Sequence, residues 1–232
     1  MSDGRRIVVM GGTGALGLGV CGELLDAGNE VTATWVVEGE VERARERFGD
    51  ALGLRRLDAS SADECAAFAA ELDAEGGPWG LVQLIGGYRD GDPVGGMDVG
   101  GWEQQMTLNA TTTALAMRAF LGGMVSRGGG RVVAVSSRAA VRPFAGAAAY
   151  AASKAAVIAL VEAASEEVKH DGVCVNCVLP SVIDTPGNRA AQPDADSSRW
   201  VRPEEIGAVI AFLTSPESSA VTGAAVPVYG RA

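Results

Sequence analysis

Residues 6–26, "RIVVMGGTGALGLGVCGELLD", put a short β-type apolar run, a glycine-rich turn and a run of helical length in direct succession. This order constrains the chain more than any bulk property does. Gly12, Gly14 and Gly17 form a G-x-G-x-x-G spacing, preceded by Gly11. Glycines let the backbone turn tightly and lie close to a ligand. The helix that opens at Ala15, Leu16 and Gly17 offers backbone N–H groups and the positive end of its dipole. A glycine turn in this context points to a bound pyrophosphate.

The rest of the chain continues the alternation. "RIVVM", "EVTATW", "LVQLI", "RVVAVS", "VCVNCVL" and "AAVPVY" read as short, apolar, β-rich strands. Helical stretches are expected near 15–27, 40–48, 61–75, 102–127, 147–170 and 203–214. "GGYRDGDPVGG" reads as a loop and "SRGGGR" as a turn. Strand alternating with helix predicts an α/β fold: one doubly wound parallel sheet, of the Rossmann type, with helices on both faces. No Pro/Ser-rich linker or long-period repeat interrupts residues 1–232, so a single dinucleotide-binding domain is expected.

Charge and composition narrow the partners. The 232 residues carry a net charge of -10, which provides no basic field for nucleic acid or an anionic membrane. No uninterrupted apolar run reaches the roughly 18 residues of a membrane span. The apolar run in the first residues is shorter than a signal peptide needs, so a cytoplasmic location is expected. Cys21, Cys65, Cys174 and Cys177 fit a reducing compartment. Cys174 and Cys177 form a C-x-x-C, but within an apolar strand-like run, so buried thiols are expected and no metal site. The one histidine, His170, lies at an expected helix end, which leaves histidine chemistry without support.

Within "AGAAAYAASKAAVIAL", Tyr150 and Lys154 are the only phenol and ammonium. Four residues apart on a helix, they lie about 6 Å apart along one face. They read either as an ordinary surface pair or as an acid and the cation that lowers its pKa. After the second strand come Trp35, Glu38 and Glu40, with no basic residue immediately at hand. Acids there disfavour a 2′-phosphate, so NAD is expected over NADP.

Together these stretches resemble the short-chain dehydrogenase/reductase family over almost the whole chain. Tyr150 and Lys154 match its Tyr-x-x-x-Lys, Ser137 stands thirteen residues before Tyr150, and Asn109 lies where the family's Asn-bearing helix falls. Asp58, in "RRLDAS", matches the acid after a third strand that binds near adenine, with Ala59 beside it. Gly86 and Gly87 follow the fourth strand. "VLPSVIDTP" resembles the segment that places Pro180, Ile183 and Thr185 near the nicotinamide, with Ser181 where the family has glycine.

The resemblance implies hydride transfer between a nicotinamide cofactor and a small carbonyl or alcohol. Tyr150 would serve as general acid/base, Lys154 would lower its pKa and hold the ribose, Ser137 would hold the substrate oxygen, and Asn109 would support Lys154. Residues 186–200 would form a substrate lid. "MGGTGALG", "IGGYRDG" and the segment after Pro180 also resemble the dihydropteridine reductase subgroup, in which an aromatic residue, here Tyr88, would face the substrate. Trp35 and Ser137 depart from that subgroup. An NADH-dependent dihydropteridine reductase and a non-catalytic dinucleotide-binding regulator are the alternatives. The family's helix pairing implies a homodimer or homotetramer, here through 102–127 and 147–170.

Overall fold

The computed structural model describes residues 4–89, 91 and 93–231. Asp90 and Asp92, within the expected 86–96 loop, lie outside the described residues, as do residues 1–3 and 232.

The sequence periodicities become seven parallel strands among the described residues. β1 (Arg6–Met10), β2 (Glu30–Trp35), β3 (Leu52–Arg56), β4 (Gly80–Gln83), β5 (Gly130–Val135), β6 (Val173–Pro180) and β7 (Ala225–Val228) pair in the order β3-β2-β1-β4-β5-β6-β7. The helices are α1 (Ala15–Asp26), α2 (Glu38–Phe48), α3 (Ala62–Ala74), α4 (Val99–Gln105), α5 (Thr112–Ser126), α6 (Ala148–Val168), α7 (Pro186–Ala191) and α8 (Pro203–Thr214).

Alternate residues of each strand face opposite sides, and both sides are covered. From β1, Val8 and Met10 join a core with Phe68 of α3, Phe120 of α5 and Val157 of α6. Ile7 and Val9 join the other core with Val20 of α1, Ala44 of α2 and Ile206 of α8. The Phe68 and Phe120 rings meet edge-on at 6.0 Å. Removing the fully buried Phe120 ring would cost about 3–5 kcal/mol.

β3 was absent from the strand-like runs and entered only through the family resemblance. It is an edge strand whose "LGLRR" has one fully buried position. Little apolar pattern is needed there. The helix expected over 102–127 is three segments, because Met106–Thr111 widens into a π-helical turn between α4 and α5. The Thr112 and Thr113 hydroxyls donate to the Leu108 and Asn109 carbonyls at 2.7 and 2.8 Å, satisfying acceptors at this irregularity.

α6 corrects the reading of membrane potential. An 18-residue window of this 21-residue helix reaches a mean hydropathy of 1.3, so one helix is long and apolar enough by length and composition to cross a bilayer. Its scattered polar residues hid this from a search for unbroken apolar runs. In the fold it packs against β6 and the π turn.

Candidate active site

The sheet order reverses direction between β1 and β4. At that point the helices leave to opposite faces, and a crevice opens beyond the carboxyl ends of the strands. Four loops meet there: 11–14 after β1, 86–88 after β4, 136–144 after β5 and 181–185 after β6.

The first loop owes its shape to particular glycines. Gly11 has φ +76°, and its N–H donates to Thr34 Oγ1 at 3.1 Å. A Cβ on Gly17 would lie 2.5 Å from the Gly11 oxygen and from the Gly12 carbonyl group, so helix and turn touch backbone to backbone. Gly12 is as constrained, 2.6 Å from the Ala33 Cβ. Gly14 is different: an added Cβ would meet only the Gly11 oxygen, at 3.6 Å. The turning glycine is therefore Gly11, outside the G-x-G-x-x-G spacing, and Gly14 is not sterically required. Gly14 caps α1 with no side-chain hydrogen bond, and no acid occupies the first turn. Such an end suits an anion.

Beside this loop, Thr13 Oγ1 donates to Glu40 Oε2 at 2.9 Å, while Glu38 is exposed. Arg43 lies 3.7 Å from Glu40. Trp35 ends β2, and Val36 and Val37 after it are more than half exposed. Asp58 Oδ1 accepts from the Ser60 hydroxyl at 2.6 Å and the Ser60 N–H at 2.9 Å. Those bonds hold its carboxyl below the usual range. Ala59 beside it is buried.

Deeper in the crevice, Asn109 is fully buried within the π turn. Its Oδ1 accepts from the Gly87 N–H at 2.9 Å. Its Nδ2 donates to the Gly87 carbonyl at 3.1 Å and to Ser153 Oγ at 3.0 Å. Ser153 in turn donates to the Tyr150 carbonyl at 2.8 Å. Asn109 thus ties the β4 loop to α6. Gly86 fits tightly here, since a Cβ would lie 2.6 Å from Asn109 Oδ1 and 2.7 Å from Lys154 Nζ.

Lys154 is 4% exposed. Its ammonium donates to the Val135 carbonyl at 2.8 Å, and its own carbonyl accepts from Ser136 Oγ at 2.7 Å. Burial pulls its pKa down to about 8. Tyr150 behaves differently from expectation. Burial raises its phenol above the ordinary value, and a hydrogen bond with Ser137 acts the other way. Lys154 is not among the causes of that shift. The buried ammonium is directed to a strand carbonyl, and desolvation dominates the phenol. Ser137, itself buried, accepts from the Ala139 N–H at 3.1 Å.

A cleft of about 570 Å³ brings Ser137, Tyr150 and Lys154 together with Leu16, Gly86, Gly87, Tyr88, Pro180 and Ile183. Gly11, Gly12, Gly14, Ala15, Gly17, Trp35, Asp58, Ala59, Asn109 and Thr185 do not line it. Several of these form the neighbouring β1–β2 side of the crevice. Thr185 caps α7, accepting from the Asn188 N–H at 3.2 Å. Ser181, in place of the expected glycine, donates to the Tyr229 carbonyl at 2.6 Å. Of the expected lid, Asn188 and Gln192 reach the cleft. Tyr88 meets the Tyr150 ring edge-on at 5.0 Å and Phe144 at 6.0 Å.

Sequence reasoning missed Arg138, Arg142 and Phe144, which also line the cleft. The available signal was two arginines four apart immediately after Ser137. Cys174 and Cys177, three apart in β6, project to opposite faces of the sheet, and both thiols are free and buried.

A family model described as Enoyl-(Acyl carrier protein) reductase matches residues 12–230. The chain is 30% identical to an acetoacetyl-CoA reductase of Allochromatium vinosum, over 97% of each chain. It is 34% identical to a galactitol 2-dehydrogenase of Rhizobium johnstonii, over 97% of this chain and 94% of that one. A solved structure of a short-chain type dehydrogenase/reductase from Mycobacterium ulcerans superposes with a TM-score of 0.91 at 28% identity. It covers 97% of this chain and 88% of that chain.

Proposed function

The chain belongs to the short-chain dehydrogenase/reductase family and is an oxidoreductase of that type using NAD(P); from that premise we propose that it interconverts a small ketone and its alcohol, with Tyr150 as general acid/base. The observation that carries the reading is the meeting of Ser137, Tyr150 and the buried Lys154 at one cleft.

The residues present fit a dinucleotide. The uncapped start of α1 and the close contact of Gly17 with the Gly11–Gly12 backbone make a concave cradle. Gly86, Gly87, Pro180 and Ile183 continue it into the cleft. When bound, the nicotinamide supplies or accepts the hydride. Tyr150 holds the proton at its phenol oxygen and delivers it to the substrate oxygen as that oxygen gains charge. Ser137 orients the same oxygen and stabilises its charge. Lys154, fixed by Val135, presents a positive charge at the cleft floor, and Asn109 holds the Gly87 loop that closes over it.

NADH is the preferred cofactor in this reading. Glu40 stands against the glycine turn through Thr13, where its carboxylate opposes a 2′-phosphate. The names of two relatives, acetoacetyl-CoA reductase and galactitol 2-dehydrogenase, support carbonyl and alcohol chemistry. Neither name points to a pterin, and Ser137 favours a substrate oxygen that needs polarising. The working assembly is a homodimer or homotetramer through α5 and α6, and micromolar light scattering that reports a monomer would contradict it. Turnover with NADH and NADPH against a panel of ketones and quinonoid dihydropterin tests the whole reading. Ketone reduction lost in Tyr150→Phe supports it. Pterin turnover with no ketone turnover sinks it.

A further inference from the structure

The mouth of the cleft carries charge that this chemistry does not use. Arg138 and Arg142 both line it, on the segment leaving Ser137. The Arg138 guanidinium lies over the Tyr229 ring, 5.6 Å from its centroid, which fixes its place. Neither guanidinium is in an ion pair among the described residues. No Asp or Glu lines the cleft among the described residues. Asp184, one residue beyond the lining Ile183, is already held by a fork from Arg189 at 2.5 and 2.8 Å.

The sign of this patch is informative. The chain carries a net charge of -10, yet its cleft presents two arginines and Lys154 without an opposing acid among the described residues. A concave surface of one sign concentrates ligands of the other. The cofactor's pyrophosphate does not account for the arginines. Its cradle follows β1, whereas they follow β5, two strand positions or roughly 10 Å across the sheet. Tyr88 and Phe144 add an apolar wall, 48% and 55% exposed, to the same cleft.

We propose that the substrate is an anionic ketone or alcohol with an apolar body. Arg138 and Arg142 hold its carboxylate or phosphate, its body lies on Tyr88 and Phe144, and its reacting oxygen meets Ser137 and Tyr150. The inference rests on the reductase reading above and adds the charge of the substrate to it. In the reductive direction the carbonyl carbon gains a C–H bond as the nicotinamide C–H bond breaks. The carbonyl oxygen gains the Tyr150 proton. The ketone is reduced, the nicotinamide is oxidised, and the distal anion is unchanged.

The test compares the full-length protein with Arg138→Gln, Arg142→Gln and the double variant. Substrates are 4-oxocyclohexanecarboxylate, its methyl ester and acetoacetyl-CoA. A hydrogen bond to a charged group is worth about 1.5–3 kcal/mol, or roughly 10–100-fold in affinity. At least one of the two anions should therefore show a KM raised tenfold or more in the double variant, with kcat held. The methyl ester should be indifferent to the substitutions, and Arg142→Lys should restore part of the loss. Dependence with the carboxylate or with acetoacetyl-CoA identifies which anion the site takes. Equal turnover of acid and ester, with no effect in any variant, overturns the proposal while leaving the reductase reading intact. If no ketone is turned over, the reductase reading fails, and calorimetry with cyclohexanecarboxylate and with methyl phosphate decides the anion site. Binding of either by the parent but not the double variant supports it, and no binding of either overturns it.

Discussion

The Lys154 ammonium is bound to the Val135 carbonyl at 2.8 Å, at the end of β5, even though Tyr150 stands one helical turn away on the same helix. The cation is thus tied to the sheet while the phenol faces Ser137 and the cleft. Burial dominates the shift of each group, raising the phenol and lowering the ammonium.

Lys154 links stability to pH with a definite sign. Its folded pKa is about 8, against 10.5 as the reference, so between these values the unfolded chain holds more of the proton. Its contribution is fully favourable above 10.5 and is lost as pH falls through about 8. At 1.36 kcal/mol per unit the swing is about 3 kcal/mol. Urea unfolding of the parent and Lys154→Met at pH 7 and pH 10 should show the parent gaining on the variant at the higher pH. A constant difference would refute the buried-ammonium account.

Tyr150 sets the direction dependence. Burial holds its phenol protonated well past neutrality, which suits donation to a carbonyl. Ketone reduction should stay nearly level below the Lys154 pKa of about 8, and alcohol oxidation, which needs the deprotonated oxygen, should climb with alkali. Tyr150→Phe should lower both by about 10²–10⁴-fold with cofactor affinity retained. Steady-state profiles in both directions and a cofactor titration check this together.

Two glycine substitutions should separate cleanly. Gly17→Ala forces a methyl to 2.5 Å from backbone atoms of Gly11 and Gly12, whereas Gly14→Ala meets ordinary contact distances. The first should lower both melting temperature and NADH affinity. The second should leave melting unchanged. Equal melting temperatures in the two variants would show that the turn yields more easily than its packing implies.

Asn109→Ala removes three hydrogen bonds from a buried position and leaves Gly87 and Ser153 without that partner. The cost should be about 2–4 kcal/mol of stability, at about 1–3 kcal/mol for each buried polar group left unmet. Faster amide exchange at Gly87 would locate the damage in the loop. Undisturbed exchange there would deny Asn109 its tethering role.

Glu40→Gln should narrow the preference between cofactors. Removing the carboxylate beside Thr13 relieves repulsion of a 2′-phosphate, and it releases Arg43 from its 3.7 Å contact. NADPH affinity should rise several-fold with little change for NADH. A parent protein that already binds NADPH more tightly would reverse the assignment.

The sequence made some of this legible for physical reasons. β1 was marked by an unbroken apolar run, β2 by β-branched residues in alternation, and α8 by a proline start and an apolar period. β3 was hidden because an edge strand needs little apolar pattern. The spacing of Ser137, Tyr150 and Lys154 could be read directly, but the partner of the ammonium could not. That partner, Val135, is a backbone atom brought near by sheet packing. Arg138 and Arg142 carried no sequence reading, because only the strand order brings their segment to the cleft.

The π turn at Met106–Thr111 acts as a rotational vernier between two helices. The wider turn takes up one extra residue between them, so deleting one residue there would restore a regular helix while α4 and α5 kept their present faces. Asn109 sits inside the adjustment, so its amide would swing off the Gly87 loop while the flanking helices kept their length. A single-residue deletion would then uncouple the β4 loop from α6 without altering any residue that lines the cleft.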